Sequence, residues 1–232
     1  LLGVEIEENL VFDVTLHAAT VLSTIVILWS EVKKLLVGIF SRHFNDEQAY
    51  VLKLIISMIP IGIVGFAFKD HINAMLDSPY ILTIVGAMLL LTASLLAFAY
   101  YARPRQKETI SYRDSFIIGL AQAVAVLPGL SRSGTTIATG LLCGVKKESV
   151  TKFSFLMVLI PILGEAFLEL LDILSGEVVS SLGIVPMVLG FVAAFVSGCL
   201  ACRFMINIVR RQKLVYFAVY CLVAGVFAIV YG

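Results

Sequence analysis

Charge is scarce in this chain. Only 14% of its 232 residues are Asp, Glu, Lys or Arg and 60% are hydrophobic, against roughly 25% charged in soluble domains. The mean hydropathy of +1.01 excludes an ordinary water-soluble globular domain. A net charge of +1 gives no sign of a nucleic-acid partner, and Lys and Arg sit in connecting loops instead of forming one basic patch. Cysteine is equally sparse. Cys143, Cys199, Cys202 and Cys221 all fall in or beside apolar stretches, where a free thiol behaves as a small hydrophobe. Cys199 and Cys202 form a C-x-x-C pair, but no second pair and no nearby histidine accompany it, which removes the usual support for a zinc or redox site.

What the chain has in abundance is apolar length. Crossing about 30 Å of hydrocarbon takes roughly 20 residues of helix, and six windows qualify: Val11–Trp29, Leu52–Phe68, Tyr80–Tyr101, Phe153–Leu174, Gly183–Cys202 and Leu214–Tyr231. Trp29, Tyr80, Tyr100, Tyr101, Tyr216 and Tyr231 stand near their ends, as an interfacial aromatic belt requires. The expected fold class is all-α, a polytopic integral membrane protein.

The stretch between the third and fourth windows behaves differently. Ser115–Leu127 is apolar, Pro128-Gly129-Leu130-Ser131-Arg132-Ser133-Gly134 interrupts it, and Thr135–Val145 resumes it. Neither half can span a bilayer as a helix, and a single helix through Pro128, Gly129, Arg132 and Gly134 would combine helix breakers with a buried charge. A re-entrant hairpin over about 115–145 removes the conflict, because irregular backbone at membrane depth is tolerated where protein or a wet cavity surrounds it. An arginine at bilayer depth costs roughly 2.5–3.5 kcal/mol and marks a binding or lining position. Around Arg132 stand the parts of an anion site: glycines that permit close approach (Gly129, Gly134), hydroxyls (Ser131, Ser133, Thr135, Thr136), and a helix beginning near Thr135 whose free N–H groups face the same spot.

The loops test the hairpin independently. If the chain reverses at every window but returns to the same side after 115–145, then Lys33, Lys34, Arg42, Lys53, Arg103, Arg105, Lys107, Arg113, Lys146, Lys147, Lys152, Arg203, Arg210, Arg211 and Lys213 share one face. Only Lys69 lies opposite, and Arg132 is in the hairpin; a single crossing would split the basic loops. The positive-inside rule therefore makes the basic face cytoplasmic and points the hairpin tip toward the outer half of the bilayer. Three spans, a hairpin and three spans further suggest an inverted repeat, 1–114 and 115–232, each half an odd number of spans. The halves echo faintly, Ile59-Pro60-Ile61-Gly62-Ile63-Val64-Gly65-Phe66 against Val185-Pro186-Met187-Val188-Leu189-Gly190-Phe191. The first half lacks a hairpin within this chain, and one of roughly 30–40 residues is expected ahead of it.

The run Gly119-Leu120-Ala121-Gln122-Ala123-Val124-Ala125-Val126-Leu127-Pro128-Gly129-Leu130-Ser131-Arg132-Ser133-Gly134-Thr135-Thr136 resembles the signature of the bacterial undecaprenyl-diphosphate phosphatase, or bacitracin-resistance, family. Phe12–Leu22 ending at Trp29, and Lys152–Leu156 through Ile160-Pro161, resemble flanking family segments, so the likeness covers essentially the whole chain. It implies hydrolysis of undecaprenyl diphosphate to the monophosphate carrier lipid used in peptidoglycan synthesis, a multi-pass bacterial inner-membrane location with the site open toward the extracytoplasmic side, and a divalent cation, Mg or Ca, for which no ligand is assignable here. Membrane lipids and the polyprenyl diphosphate are the implied partners, with a homodimer allowed. The family's glutamate-rich first hairpin, from which acid/base groups are expected, has no counterpart in this sequence.

Each candidate carries two readings. Arg132, Ser131 and Ser133 are the expected catalytic groups, against an arginine capping hairpin carbonyls and serines that merely allow close packing. Gly129, Gly134, Thr135, Thr136 and Gln122 are expected on the substrate, against helix capping by a threonine and interhelical hydrogen bonding by Gln122. His17, four residues after Asp13, and Glu165, four after Pro161, are supporting candidates, against a neutral core histidine and a carboxyl bonded to backbone freed by the proline. A rival of another class is an inverted-repeat transporter or flippase for an anionic or lipid-linked substrate, which uses the same architecture. A membrane phosphatase of the acid-phosphatase type needs a histidine downstream of its serine–arginine pair, and none follows His71.

Overall fold

Six apolar windows become six long helices, joined by shorter ones. The computed structural model describes residues 10–76, 78–101, 107–174, 184–210 and 214–231, with the side chains of Asp13, Glu165 and several others outside the description. In chain order the helices are α1 (Leu10–Ile27), α2 (Trp29–Ile39), α3 (Asp46–Ala67), α4 (Lys69–Leu76), α5 (Ile81–Tyr101), α6 (Tyr112–Val124), α7 (Arg132–Leu142), α8 (Lys147–Leu174), α9 (Ile184–Arg210) and α10 (Leu214–Tyr231). The only bridge among the described residues joins Lys107 and Val145. By length and composition α3, α5 and Ile184–Ile208 of α9 can cross a membrane, and Val14–Ile27 and Val215–Tyr231 are shorter apolar helices. Large apolar side chains lie exposed along them, Ile184, Leu189 and Leu200 of α9 among them. In water that surface would invite association; in a bilayer it faces lipid. The protein is an all-α polytopic membrane protein.

Several helices run past their apolar windows because hydrocarbon sets the window but hydrogen bonding sets the helix. Asn45 caps α3 by accepting from the Gln48 N–H at 2.8 Å, which carries the helix through Asp46, Glu47 and Gln48 before the first apolar turn. Pro60 lies inside α3 and Pro161 inside α8 without ending either.

Packing divides the chain into two units, residues 1–33 with 158–205, and 34–157 with 206–232. In the first, α1 lies on α9: a methyl on Gly190 would fall 2.6 Å from Phe12 Cε2, and the Cys199 thiol lies 3.9 Å from the Ser23 carbonyl. In the second, α5 and α10 touch backbone to backbone. A methyl on Gly86 would sit 2.8 Å from the Gly225 carbonyl oxygen, and one on Gly225 would sit 2.9 Å from that of Gly86. The partners run from Ile229 to Gly225 as α5 runs from Gly86 to Leu90, so the two helices are antiparallel.

The expected hairpin over 115–145 is α6, a short irregular tip and α7. At about 1.5 Å per residue, their 13 and 11 residues reach about 20 and 17 Å, short of a crossing. Its base is clipped shut. Lys107 N–H donates to the Gly144 carbonyl at 3.0 Å, Lys146 N–H to that of Lys107 at 2.9 Å, and the Ser149 hydroxyl to that of Glu108 at 2.7 Å. Ser111 and Asp114 form a capping box at the start of α6, and the Lys107 ammonium adds an ion pair to Asp114 at 3.3 Å.

Burial pushes the Asp114 carboxyl up, but the Ser111 hydrogen bonds and the Lys107 ammonium outweigh it and hold the group below the usual carboxylate range. A group depressed on folding contributes stability above its unfolded value of about 3.9 and loses that contribution as pH falls through its folded value. Asp114→Asn is therefore expected to lower the melting temperature at pH 7 by the equivalent of about 1 kcal/mol, a typical capping loss. Melting curves of variant and parent should draw together as pH falls below about 4, the unfolded value, and converge only lower still, where the parent's carboxyl, held down in the folded protein, protonates as well.

Candidate anion-binding site

Proline and glycine decide the tip. After α6 ends at Val124, Pro128 cannot continue a helix, and Gly129 adopts φ +90°, a conformation L side chains avoid. A Cβ there would also lie 2.6 Å from the Val85 carbonyl oxygen and 2.7 Å from Val85 Cα. Gly129 thus lets the tip turn and lets it lie on α5. Gly129→Ala is expected to combine about 1–2 kcal/mol of left-handed strain with this backbone collision, and to lower the melting temperature in detergent by more than Gly62→Ala, since a Cβ at Gly62 meets nothing within 4 Å.

The second half-helix starts three residues earlier than the sequence suggested. Ser131, not Thr135 or Thr136, is its N-cap, its side chain accepting from the Gly134 N–H at 3.2 Å. The physical reason lies on another helix: Ser131 N–H donates to the Thr92 hydroxyl of α5 at 3.2 Å, and Thr92 in turn donates to the Met88 carbonyl at 3.0 Å. Thr92 is fully buried. Nothing in the local sequence singled it out except a lone hydroxyl midway along an otherwise apolar span. Val85 and Thr92 lie about 6 and 17 Å from Ile81 along α5, at 1.5 Å per residue, so the tip reaches toward the Ile81 end, away from the clipped base.

This start places Arg132 and Ser133 in the first turn of α7. Among the described residues their N–H groups have no protein acceptor, and the exposed Arg132 guanidinium has neither an ion pair nor a hydrogen bond. Two free amides, a positive helix terminus and a bidentate cation meet at one place, the arrangement that binds oxyanions. Ser133 is half-buried beside them. Gly134 is buried, and a methyl on it would fall 2.9 Å from Ser131 Oγ. Thr136 donates to the Arg132 carbonyl at 2.9 Å and to that of Ser133 at 3.3 Å, tightening the turn from inside. The buried Thr135 hydroxyl has no partner among the described residues.

The other candidates stand on other helices. Gln122 is fully buried on α6 beneath the tip. His17 is half-buried on α1 and Glu165 is on α8, both in the first unit, and the Glu165 side chain lies outside the described residues. No three His, Cys, Asp or Glu side chains gather into a metal cluster among the described residues, and a guanidinium with hydroxyls and amides suits an anion, not a cation.

The family described as Bacitracin resistance protein BacA matches residues 1–227. The chain is 58% identical to an undecaprenyl-diphosphatase of Bacteroides fragilis, covering 99% of this chain and 86% of that one. It is 57% identical to that of Bacteroides thetaiotaomicron, over 99% and 87%, and 35% identical to that of Oceanobacillus iheyensis, over 100% and 86%. The transport reading finds no support in these matches. A hairpin ending in an arginine-bearing helix terminus, inside a polytopic apolar chain matched along nearly its whole length, places this chain in the bacitracin resistance protein BacA family.

Proposed function

We infer that the protein hydrolyses undecaprenyl diphosphate to undecaprenyl phosphate and inorganic phosphate, returning the carrier lipid to peptidoglycan synthesis and so resisting bacitracin. The observation that carries this is the unpaired Arg132 guanidinium beside the two free amides of α7, in a chain whose relatives are undecaprenyl-diphosphatases. A diphosphate headgroup is a concentrated anion, and phosphoryl transfer needs positioning and charge stabilisation above all. A water oxygen forms the new bond to the terminal phosphorus as the bond to the bridging oxygen breaks. The bridging oxygen leaves with the lipid phosphate.

Arg132 grips the equatorial oxygens bidentately, the amides of Arg132 and Ser133 receive a third, and Ser133 adds a hydroxyl. Ser131 divides its oxygen between capping and the phosphate edge. Gly129 and Gly134 act by keeping side chains out of the approach, and Thr135 and Thr136 by supporting the turn. His17 and Glu165 are held as supporting groups. A divalent cation, implied by family resemblance, would add charge stabilisation at the phosphates, and chelation should then lower phosphate release.

The tip's reach toward the Ile81 end of α5, with Lys107, Arg113, Lys146 and Lys147 at the clipped base of the hairpin, supports a site open to the extracytoplasmic side of the bacterial inner membrane. Reciprocal contact of Gly86 and Gly225 between antiparallel α5 and α10 supports the repeat division 1–114 and 115–232, since these are the third spans of the two halves. The test is direct: full-length protein in right-side-out vesicles should release phosphate from undecaprenyl diphosphate into the outer medium. Transport of the lipid with no phosphate released would overturn the reading.

A further inference from the structure

Two buried side chains near the hairpin have unpaired polar atoms and no part in the turn described above. Gln122 is 0% exposed with both carboxamide atoms unpartnered, and Ser154 is 1% exposed with its hydroxyl unpartnered, among the described residues. They stand on different helices, yet helix register brings them to one level. Ile118 of α6, Gly140 of α7 and Val150 of α8 converge: a methyl on Gly140 would overlap Val150 and fall 3.3 Å from Ile118 Cδ1. α7 and α8 both rise from the turn at Val145, whose N–H donates to the Gly140 carbonyl at 3.1 Å. One helical turn closer to the tip stand Gln122 on α6, Thr136 on α7 and Ser154 on α8. Thr136 is the residue that donates to the Arg132 carbonyl, and its oxygen can still accept.

An unpaired carboxamide and hydroxyl in a closed interior are unfavourable, and apolar residues of the same size would avoid the cost. Polar groups of this number at one level are what a buried bridging water needs. We propose that Gln122 and Ser154 are positioning residues: with Thr136 they form a buried, water-binding polar layer that holds the Ser131–Arg132 turn from below. Water bridging Gln122 and Ser154 to Thr136 Oγ1 fixes that hydroxyl in its donation to the Arg132 carbonyl. The first turn of α7 then stays closed and its free amides stay aimed at the phosphate. No bond or proton changes in this role, and it rests on reading that turn as the phosphate site.

The test measures kcat, KM and melting temperature of full-length Gln122→Leu, Ser154→Ala, the double variant and Ser154→Thr, with Arg132→Ala alongside. The double variant should lose about tenfold or more in kcat, with KM within about threefold of the parent and the melting temperature unchanged or raised. Ser154→Thr, which keeps a hydroxyl, should stay near the parent. Parental kcat with a raised melting temperature would overturn the positioning role and leave two ordinary packing imperfections. Should Gln122→Leu not fold, Ser154→Ala against Ser154→Thr carries the same comparison. Full activity in Arg132→Ala would overturn the phosphate-site reading itself, whereas loss there with a normal double variant overturns only the polar layer.

Discussion

Arg132→Lys is expected to lower turnover by at least about a hundredfold, on the order of 2.7 kcal/mol, with the melting temperature unchanged. Lysine keeps the charge but not the planar fork that engages two phosphate oxygens at once, so the loss falls on the transition state, where charge on those oxygens is redistributed. Stability is spared because the guanidinium is exposed and makes no ion pair or hydrogen bond among the described residues. The check is kcat and KM on undecaprenyl diphosphate, with thermal melting of both proteins in the same detergent. Parental turnover in a well-folded variant would make Arg132 a structural residue.

Gly119→Leu should have the largest effect on folding. At Gly119 a Cβ would lie 2.9 Å from Ser57 Cα and 3.0 Å from the Ser57 carbonyl carbon, and closer still to its oxygen. All are backbone atoms of α3 that no rotamer change can move aside. One turn earlier the Ser115 hydroxyl donates to the Lys53 carbonyl, so prising α6 from α3 also breaks that bond. A loss of about 3 kcal/mol or more, at the upper end for overpacking, should appear as a lowered melting temperature and reduced recovery of folded protein. Gly65→Leu serves as the control, because nothing lies within 4 Å of a Cβ there. Equal melting of the two variants would mean that α6 and α3 separate without cost.

Much of this was legible in the residues because membranes impose simple rules. A helix must be apolar for about 20 residues to cross, so each of the six windows falls within or close to a helix. A charged, glycine-rich break between two short apolar runs has few solutions, and the hairpin of α6 and α7 is the one adopted. α7 starts three residues earlier because Ser131 caps the Gly134 N–H, and the backbone N–H of that cap residue is held by Thr92, 39 residues away. Short-range pattern cannot register such a bond. Gln122 was visible as a polar residue on an apolar half-helix, but whether it met solvent, substrate or neither depended on the packing of α6, which leaves it fully buried.

The sequence alone therefore determined the class of the molecule, its succession of spans, the re-entrant break and the arginine within it, since each follows from composition, length and local backbone chemistry. Tertiary structure alone decided that the tip rests on Val85 and Thr92, that Ser131 serves as the cap, and that two first-turn amides remain free beside an unpaired guanidinium. These are contacts between helices far apart in the chain. Only packing, which brings a carbonyl or hydroxyl of one helix within about 3 Å of a group on another, could fix which donors are satisfied and which are left for a ligand.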